Sequence, residues 1–521
     1  MKNIKNQYAS LYSIKDLSSY NNQDALNHIA LLIDTSFDTE EVNGLNLAVE
    51  LIIQVKKKEL QSTQIAELFY FLANINHYLR ILNDYKTDNS FILKCDEIEK
   101  EIFYLRSAIN EPGFNQLYIT RKCQILTNLG NFLSEIGRFV EAVEFWEKSL
   151  EILPEFDMAR ANLGYGLFYY GKLLYDDGHR NLFIKFAYKE LCHSLQSNKF
   201  IHDGAKSRFS KCINLIETLY DQNYLLQEFD MTNYSLGKSK KEINYRNWCL
   251  KNKLFLNPLN DLGPYNIASY DIFSIPPIVI KIDEAPSVPG LFNLIKQEFA
   301  SARYLYYEGI NSRAVHFSDK GVVLHNTLDY SSFSLALEKV KVAFRMAYSL
   351  FDKIAFLINY YFDLGISEDK VNFRTLWYVK KNNIYDVRED IKNKENWPLR
   401  GLYWLSKDIF EKDIDIISVI EPDAKEINTI RNHIEHKYLK IHEFEYSEST
   451  AKDMFYDNLS YHISRLSFEN KTLKLIKLVR AAIIYLSLSI HVEEFIKSQT
   501  REPDSIIMPI SGGEIKDSWK R

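Results

Sequence analysis

The segment DAKEINTIRNHIEHKYLKIH, residues 423–442, gathers side chains able to handle protons and phosphate. Arg431, Asn432, His433, Glu435 and His436 fall within one stretch of six residues. An imidazole titrates near neutral pH and passes protons in either direction, and a guanidinium offers a planar fork of donors to a phosphate while staying charged. The amide of Asn432 can accept and donate, which suits a supporting role beside either group. Ile427, Ile430, Ile434, Tyr438 and Ile441 recur every three or four positions, so the spacing predicts one helix over 423–442 with that stripe buried. At about 100° per residue, His436 then points ~160° away from the stripe with Asn432 and Thr429 on its face, while Arg431 sits at the stripe's margin. A single copy of such a helix does not readily bring Arg431 and His436 together; a second copy packed on the outward face would.

Plainer readings stand beside this one. Arg431 could be a surface ion-pair partner of Glu435 at i+4, with His436 an ordinary exposed histidine. His433 and His436 at i,i+3 beside Glu435 have the look of a metal pair, but no third ligand can be assigned and H-E-x-x-H does not occur, so no metal is expected. No Walker loop, dinucleotide fingerprint or G-x-S-x-G elbow occurs either, and no cofactor is expected.

The elements that must hold this segment are helical. Stretches at 333–363, 401–411, 423–442 and 468–497 are long, amphipathic or apolar, and predicted to pack as a bundle with the last pair central. On the final stretch Lys471, Lys474, Lys477 and Arg480 make a drifting basic face, open to two readings: a guide for a phosphate backbone or a solvated helix surface. From Leu26 to Tyr220 the chain keeps helical spacing with hardly a proline. In LTNLGNFLSEIGRFVEAVEFWEKSLEILPEF the positions Leu129-Gly130, Leu133, Gly137, Ala142, Trp146, Ser149 and Pro154 fall at the offsets of a tetratricopeptide repeat. Leu163-Gly164, Leu167 and Gly171 repeat the pattern, with an insertion expected before a second helix that resumes near Ala187. Such repeats stack into a solenoid whose concave face takes a peptide or protein, or serves only as a spacer.

Six of the twelve prolines lie between 258 and 289, marking a connector. Upstream, Lys238, Lys240, Lys241 and Arg246 form either a phosphate-contacting patch or a solvated loop. Downstream, RAVHFSDKGVVLHN is predicted to form a β-hairpin around Asp319-Lys320-Gly321, the only expected β-structure.

With 521 residues, 46% hydrophobic and 26% charged, the chain reads as a folded, multidomain protein. A net charge of −5 means that any nucleic acid must meet a local basic patch. The five cysteines are odd in number, widely spaced and without a C-x-x-C pair, which indicates neither a disulfide framework nor a zinc site. The N-terminus carries no apolar signal region, and the most apolar late stretch, AAIIYLSLSI, is too short to span a bilayer. No membrane association and a cytoplasmic location are expected.

The hexapeptide Arg431–His436 matches the R-N-x-x-x-H signature of the HEPN superfamily. The segments AYSLFDKIAFLINYYF, GLYWLSKDIF, RNHIEHKYLK and LVRAAIIYLSLSI, with NKLFLNPLNDL before them, resemble a bacterial HEPN subfamily in which the domain follows helical repeats. Asp352-Lys353 resembles a further family feature, read as an internal polar contact. Spacing, prolines and this resemblance together predict an all-α protein with a tetratricopeptide-like solenoid at 1–240, a connector at 241–325 with a proline-rich segment, a HEPN four-helix bundle at 326–497 and a disordered tail at 498–521. The resemblance also implies a metal-independent endoribonuclease, a toxin or antiviral-defence effector regulated through its repeats, that works as a homodimer on tRNA or mRNA. Arg431, Asn432 and His436 would be catalytic, and His433, Lys437, Lys440, Lys474 and Lys477 are candidate RNA contacts. A non-catalytic nucleotide- or RNA-binding scaffold is the alternative.

Overall fold

A computed structural model of the chain describes residues 2–82, 96–197, 201, 203–312, 314–381, 384–409, 421, 424–444, 459–501, 507–508 and 513–520. The protein is all-α apart from two small two-stranded sheets among the described residues. The first half holds α1 (Lys2–Tyr12), α2 (Asn22–Asp38), α3 (Val42–Val55), α4 (Ser62–Leu82), α5 (Asp96–Asn110), α6 (Ile119–Glu135), α7 (Phe139–Ile152), α8 (Asp157–Leu173), α9 (Asp177–Ser197), α10 (Asp203–Leu219), α11 (Gln222–Leu226) and α12 (Lys240–Lys251). α2 packs on α3, α4 on α5, α6 on α7 and α8 on α9. Small residues set these pairings: a Cβ on Gly130 would lie 2.6 Å from Trp146 Nε1, and one on Gly164 would lie 2.9 Å from the Ala187 carbonyl. Contrary to the expected insertion, α9 begins at Asp177. Asp176 starts it by accepting the His179 N–H at 2.8 Å, and polar DDGHRN hides the periodicity of this first turn.

The proline-bearing stretch that follows is folded inward. Asn257, Asn260 and Asp261 are buried, and the Arg480 guanidinium donates to the carbonyls of Phe255 and Asn257 and to the Asp261 carboxylate. The region read as connector also contains a 25-residue helix, α13 (Ser287–Asn311), which packs along α14 (Leu335–Tyr361). Pro289 sits in its first turn, where a missing N–H breaks no helical bond. No hairpin forms at Asp319-Lys320-Gly321; the Asp319 carboxylate instead accepts the Leu335 N–H at 3.0 Å, at the start of α14. In the basic stretch upstream, Ser239 caps α12, Arg246 pairs with Glu242 and Lys241 with Glu308.

The strands lie elsewhere. β1 (Tyr378–Lys381) and β2 (Ile384–Val387) are antiparallel, with Tyr378 opposite Val387. After the short helix α15 (Glu389–Lys392) come α16 (Trp397–Ser406) and α17 (Ala424–His436). α17 ends six residues earlier than periodicity suggests, and β3 (Tyr438–His442) pairs in parallel with β4 (Ser460–Ser464). The 35-residue α18 (Arg465–Gln499) runs through the centre, packed on α13, α14 and α16. It is longer than the apolar decapeptide suggests and would cross a membrane on length and composition, yet 83% of its apolar window is buried inside the protein. In the tail a 3-10 turn at Asp517–Trp519 is exposed.

The N-terminal helices and the C-terminal bundle share one apolar core, joined by buried charge. Asp408, fully buried, accepts from Arg106 at 2.6 and 3.1 Å and pairs with Arg138 at 2.6 Å. Burial pushes the Asp408 carboxyl up, but the two guanidiniums outweigh it and hold it below the usual aspartate value. Beside them the backbones of Gly137 and Gly401 touch: a Cβ on Gly401 would lie 2.3 Å from the Gly137 carbonyl oxygen.

Candidate active site

α17 carries the R-N-x-x-x-H motif. Its stripe of Ile427, Ile430 and Ile434 is buried, and the helix packs on α14 and on β3 and β4. Tyr438 and Ile441, read as the stripe's continuation, belong to β3, Tyr438 exposed and Ile441 buried. Arg431 and Asn432 are half-buried and joined: Arg431 Nη1 donates to Asn432 Oδ1 at 3.1 Å. His436 is exposed at the last residue of the helix.

α14 supplies the floor. Arg345, Tyr348 and Asp352, at i, i+3 and i+7, lie along one face. Arg345 Nη2 donates to the Ile434 carbonyl at 2.6 Å and its Nε lies 3.5 Å from Glu435, so a charged donor caps the end of α17. The Tyr348 ring lies under the Arg431 guanidinium, 5.6 Å from centroid to Cζ. Burial pushes the Tyr348 phenol up to about 12, with Arg431 opposing. Asp352 accepts the Phe373 N–H at 3.1 Å; burial raises its carboxyl, opposed by that hydrogen bond and by Arg431. Lys353 pairs instead with Glu298 on α13. Tyr348 and Arg345 escaped sequence reading; their helical spacing with Asp352 was the available signal.

The candidate RNA contacts divide. Lys437 is exposed beside His436. His433 is half-buried, donates from Nδ1 to the Thr429 carbonyl at 2.8 Å and packs on Tyr461. Lys440 is not at the surface: it is 4% exposed and pairs with buried Asp329 at 2.5 Å, because β3 is covered on both faces. Nor do the lysines of α18 form a free basic face. Lys471 pairs with Glu426, Lys474 with Glu421 and Lys477 with Glu144, each at 2.8–2.9 Å, so this edge of the helix meets acidic side chains of other elements.

Residues 279–493 match the family model of LA2681-like HEPN domains, which makes the C-terminal part of this all-α chain a HEPN domain. The match begins just before α13 and takes in α14 to α17 and most of α18. No curated protein and no solved structure gives a significant match.

Proposed function

We propose that the chain is a metal-independent endoribonuclease with Arg431, Asn432 and His436 as its catalytic residues. The carrying observation is the R-N-x-x-x-H motif on a solvent-facing helix of a HEPN domain, with the histidine exposed and the arginine seated on Tyr348. His436 removes the proton of a ribose 2′-hydroxyl, the freed oxygen attacks the adjacent phosphorus, and the bond to the 5′-oxygen breaks as that oxygen takes the proton back from the imidazolium. Arg431 stabilises charge on the phosphorane, and Asn432, bonded to Arg431, fixes the guanidinium's orientation. The nucleophile is internal to RNA, so neither a metal nor DNA enters the reaction.

Dimerisation through the HEPN domain completes this reading, because a second copy of α17 would bring each His436 towards the other Arg431. Val315, Phe317, Val322, Val323, Leu324 and Tyr330, all more than half exposed, lie just before α14, and Ser331 bridges to His442 on β3. An apolar run of this kind supports a partner surface beside the motif. The paired helices of the first half support tetratricopeptide-like repeats that bind a protein or peptide and restrain a toxic or antiviral-defence nuclease. The alternative reading is a non-catalytic RNA-binding scaffold.

The deciding experiment incubates wild type and His436→Ala with total RNA and with tRNA in EDTA. Cleavage by wild type alone, leaving cyclic phosphate ends, is expected. RNA binding without cleavage by either protein would establish the scaffold, and cleavage by both would remove His436 from the reaction.

A further inference from the structure

A cavity of about 360 Å³ lies between α5, α6 and α7 of the repeats and α18 of the bundle. Its volume is within the roughly 300–1,000 Å³ typical of small-molecule sites. One wall is apolar, built by Leu129, Phe145, Leu473 and Leu478. The rest is charged, with seven Lys or Arg side chains against five Asp or Glu, an excess of cations in a protein whose net charge is −5.

The cations are incompletely used. Arg138 lines the cavity at 0% exposure; its Nε and Nη2 are taken by Glu141 and Asp408, while Nη1 has no hydrogen-bond partner. A buried guanidinium N–H without an acceptor is unfavourable, so an acceptor that reaches it is favoured. Lys148 and Lys477 converge on one carboxylate, Glu144, at 3.0 and 2.9 Å, leaving several ammonium hydrogens for another acceptor. Lys148, 45% exposed, and Lys474, 37% exposed, open this end of the cavity to solvent. A guanidinium with an open N–H and two ammonium groups lining the same cavity as an apolar wall suit a phosphate attached to a flat apolar body.

We infer that this cavity binds a small phosphomonoester of nucleoside monophosphate size, its phosphate on Arg138, Lys148 and Lys477 and its base against Phe145 and Leu478. The site is separate from the α17 motif and does not depend on the nuclease reading. Its ligand would touch repeats and bundle at once, which is where a small molecule could couple them.

The test is calorimetric titration of the full chain with AMP, with adenosine and inorganic phosphate as probes of each half. Saturable 1:1 binding of AMP is expected, at least tenfold tighter than either probe. Lys148→Glu, on an exposed helix face, should weaken AMP at least tenfold without changing the thermal melt; Arg138→Lys should do the same if it folds. Arg431→Ala should bind AMP as wild type does. No saturable AMP binding, equal binding of adenosine, indifference to Lys148→Glu, or loss in Arg431→Ala would each overturn the inference.

Discussion

Arg345 on α14 donates to the carbonyl of Ile434, 2.6 Å away, 89 residues later in the chain and two residues before His436, so this side chain holds the end of the helix that carries the histidine. In the proposed reaction Arg345 is a positioning residue. Arg345→Ala should lower cleavage on the order of tenfold to a hundredfold through kcat, with KM little changed, since small misplacements of a catalytic group carry penalties of that size. Arg345→Lys should recover part of the rate. An equal loss in both variants, or a loss confined to KM, would remove the positioning role.

Asp408 joins the N-terminal helices to the C-terminal bundle through Arg106 and Arg138. Asp408→Asn leaves two buried guanidiniums without their shared carboxylate and should cost about 3–5 kcal/mol in urea unfolding. The folded carboxyl lies below its unfolded value, so the stabilisation is fully present above the unfolded pKa of about 4 and is lost as pH falls towards the folded value. Wild type should therefore lose stability on acidification below about pH 4, and Asp408→Asn should lack that component.

Gly137 adopts φ +89°, and a Cβ there would lie 2.2 Å from the Trp397 carbonyl oxygen. Gly137→Ala meets both a left-handed backbone and a backbone clash, and should destabilise by at least about 1–3 kcal/mol. A thermal melt unchanged from wild type would show that the N-terminal helices and the bundle do not touch there.

The apolar residues before α14 give a test of assembly. Phe317→Asp with Val323→Asp should convert a wild-type dimer to monomer in light scattering and reduce RNA cleavage with it. Both side chains are exposed, so folding should be unaffected. A monomeric, active wild type would remove the shared cleft from the mechanism.

Much of the architecture was legible because a helix declares itself through local spacing. The Ile427, Ile430, Ile434 stripe gave the buried face of α17 and hence the outward direction of His436. Leu129-Gly130 and Trp146 announced a close helix pair, and the structure places the Trp146 ring against Gly130. The failures share a cause. Tyr438 and Ile441 continue the helical rhythm, yet YLKIH pairs with Ser460–Ser464, and a partner 22 residues away leaves no local trace. α13 was hidden by prolines that a first helical turn tolerates.

The sequence by itself determined that this is a helical protein, that R-N-x-x-x-H lies on an amphipathic helix, and which side of that helix is buried, since each follows from periodicity within a few turns. Only the tertiary structure decided the fate of the charges. Lys474 and Lys477 look like a basic surface in isolation, but Lys477 meets Glu144, 333 residues distant, and Lys440 is buried against Asp329, 111 residues distant. Ion pairing depends on distance in space and on exclusion of water, and neither is written in the spacing of residues along the chain.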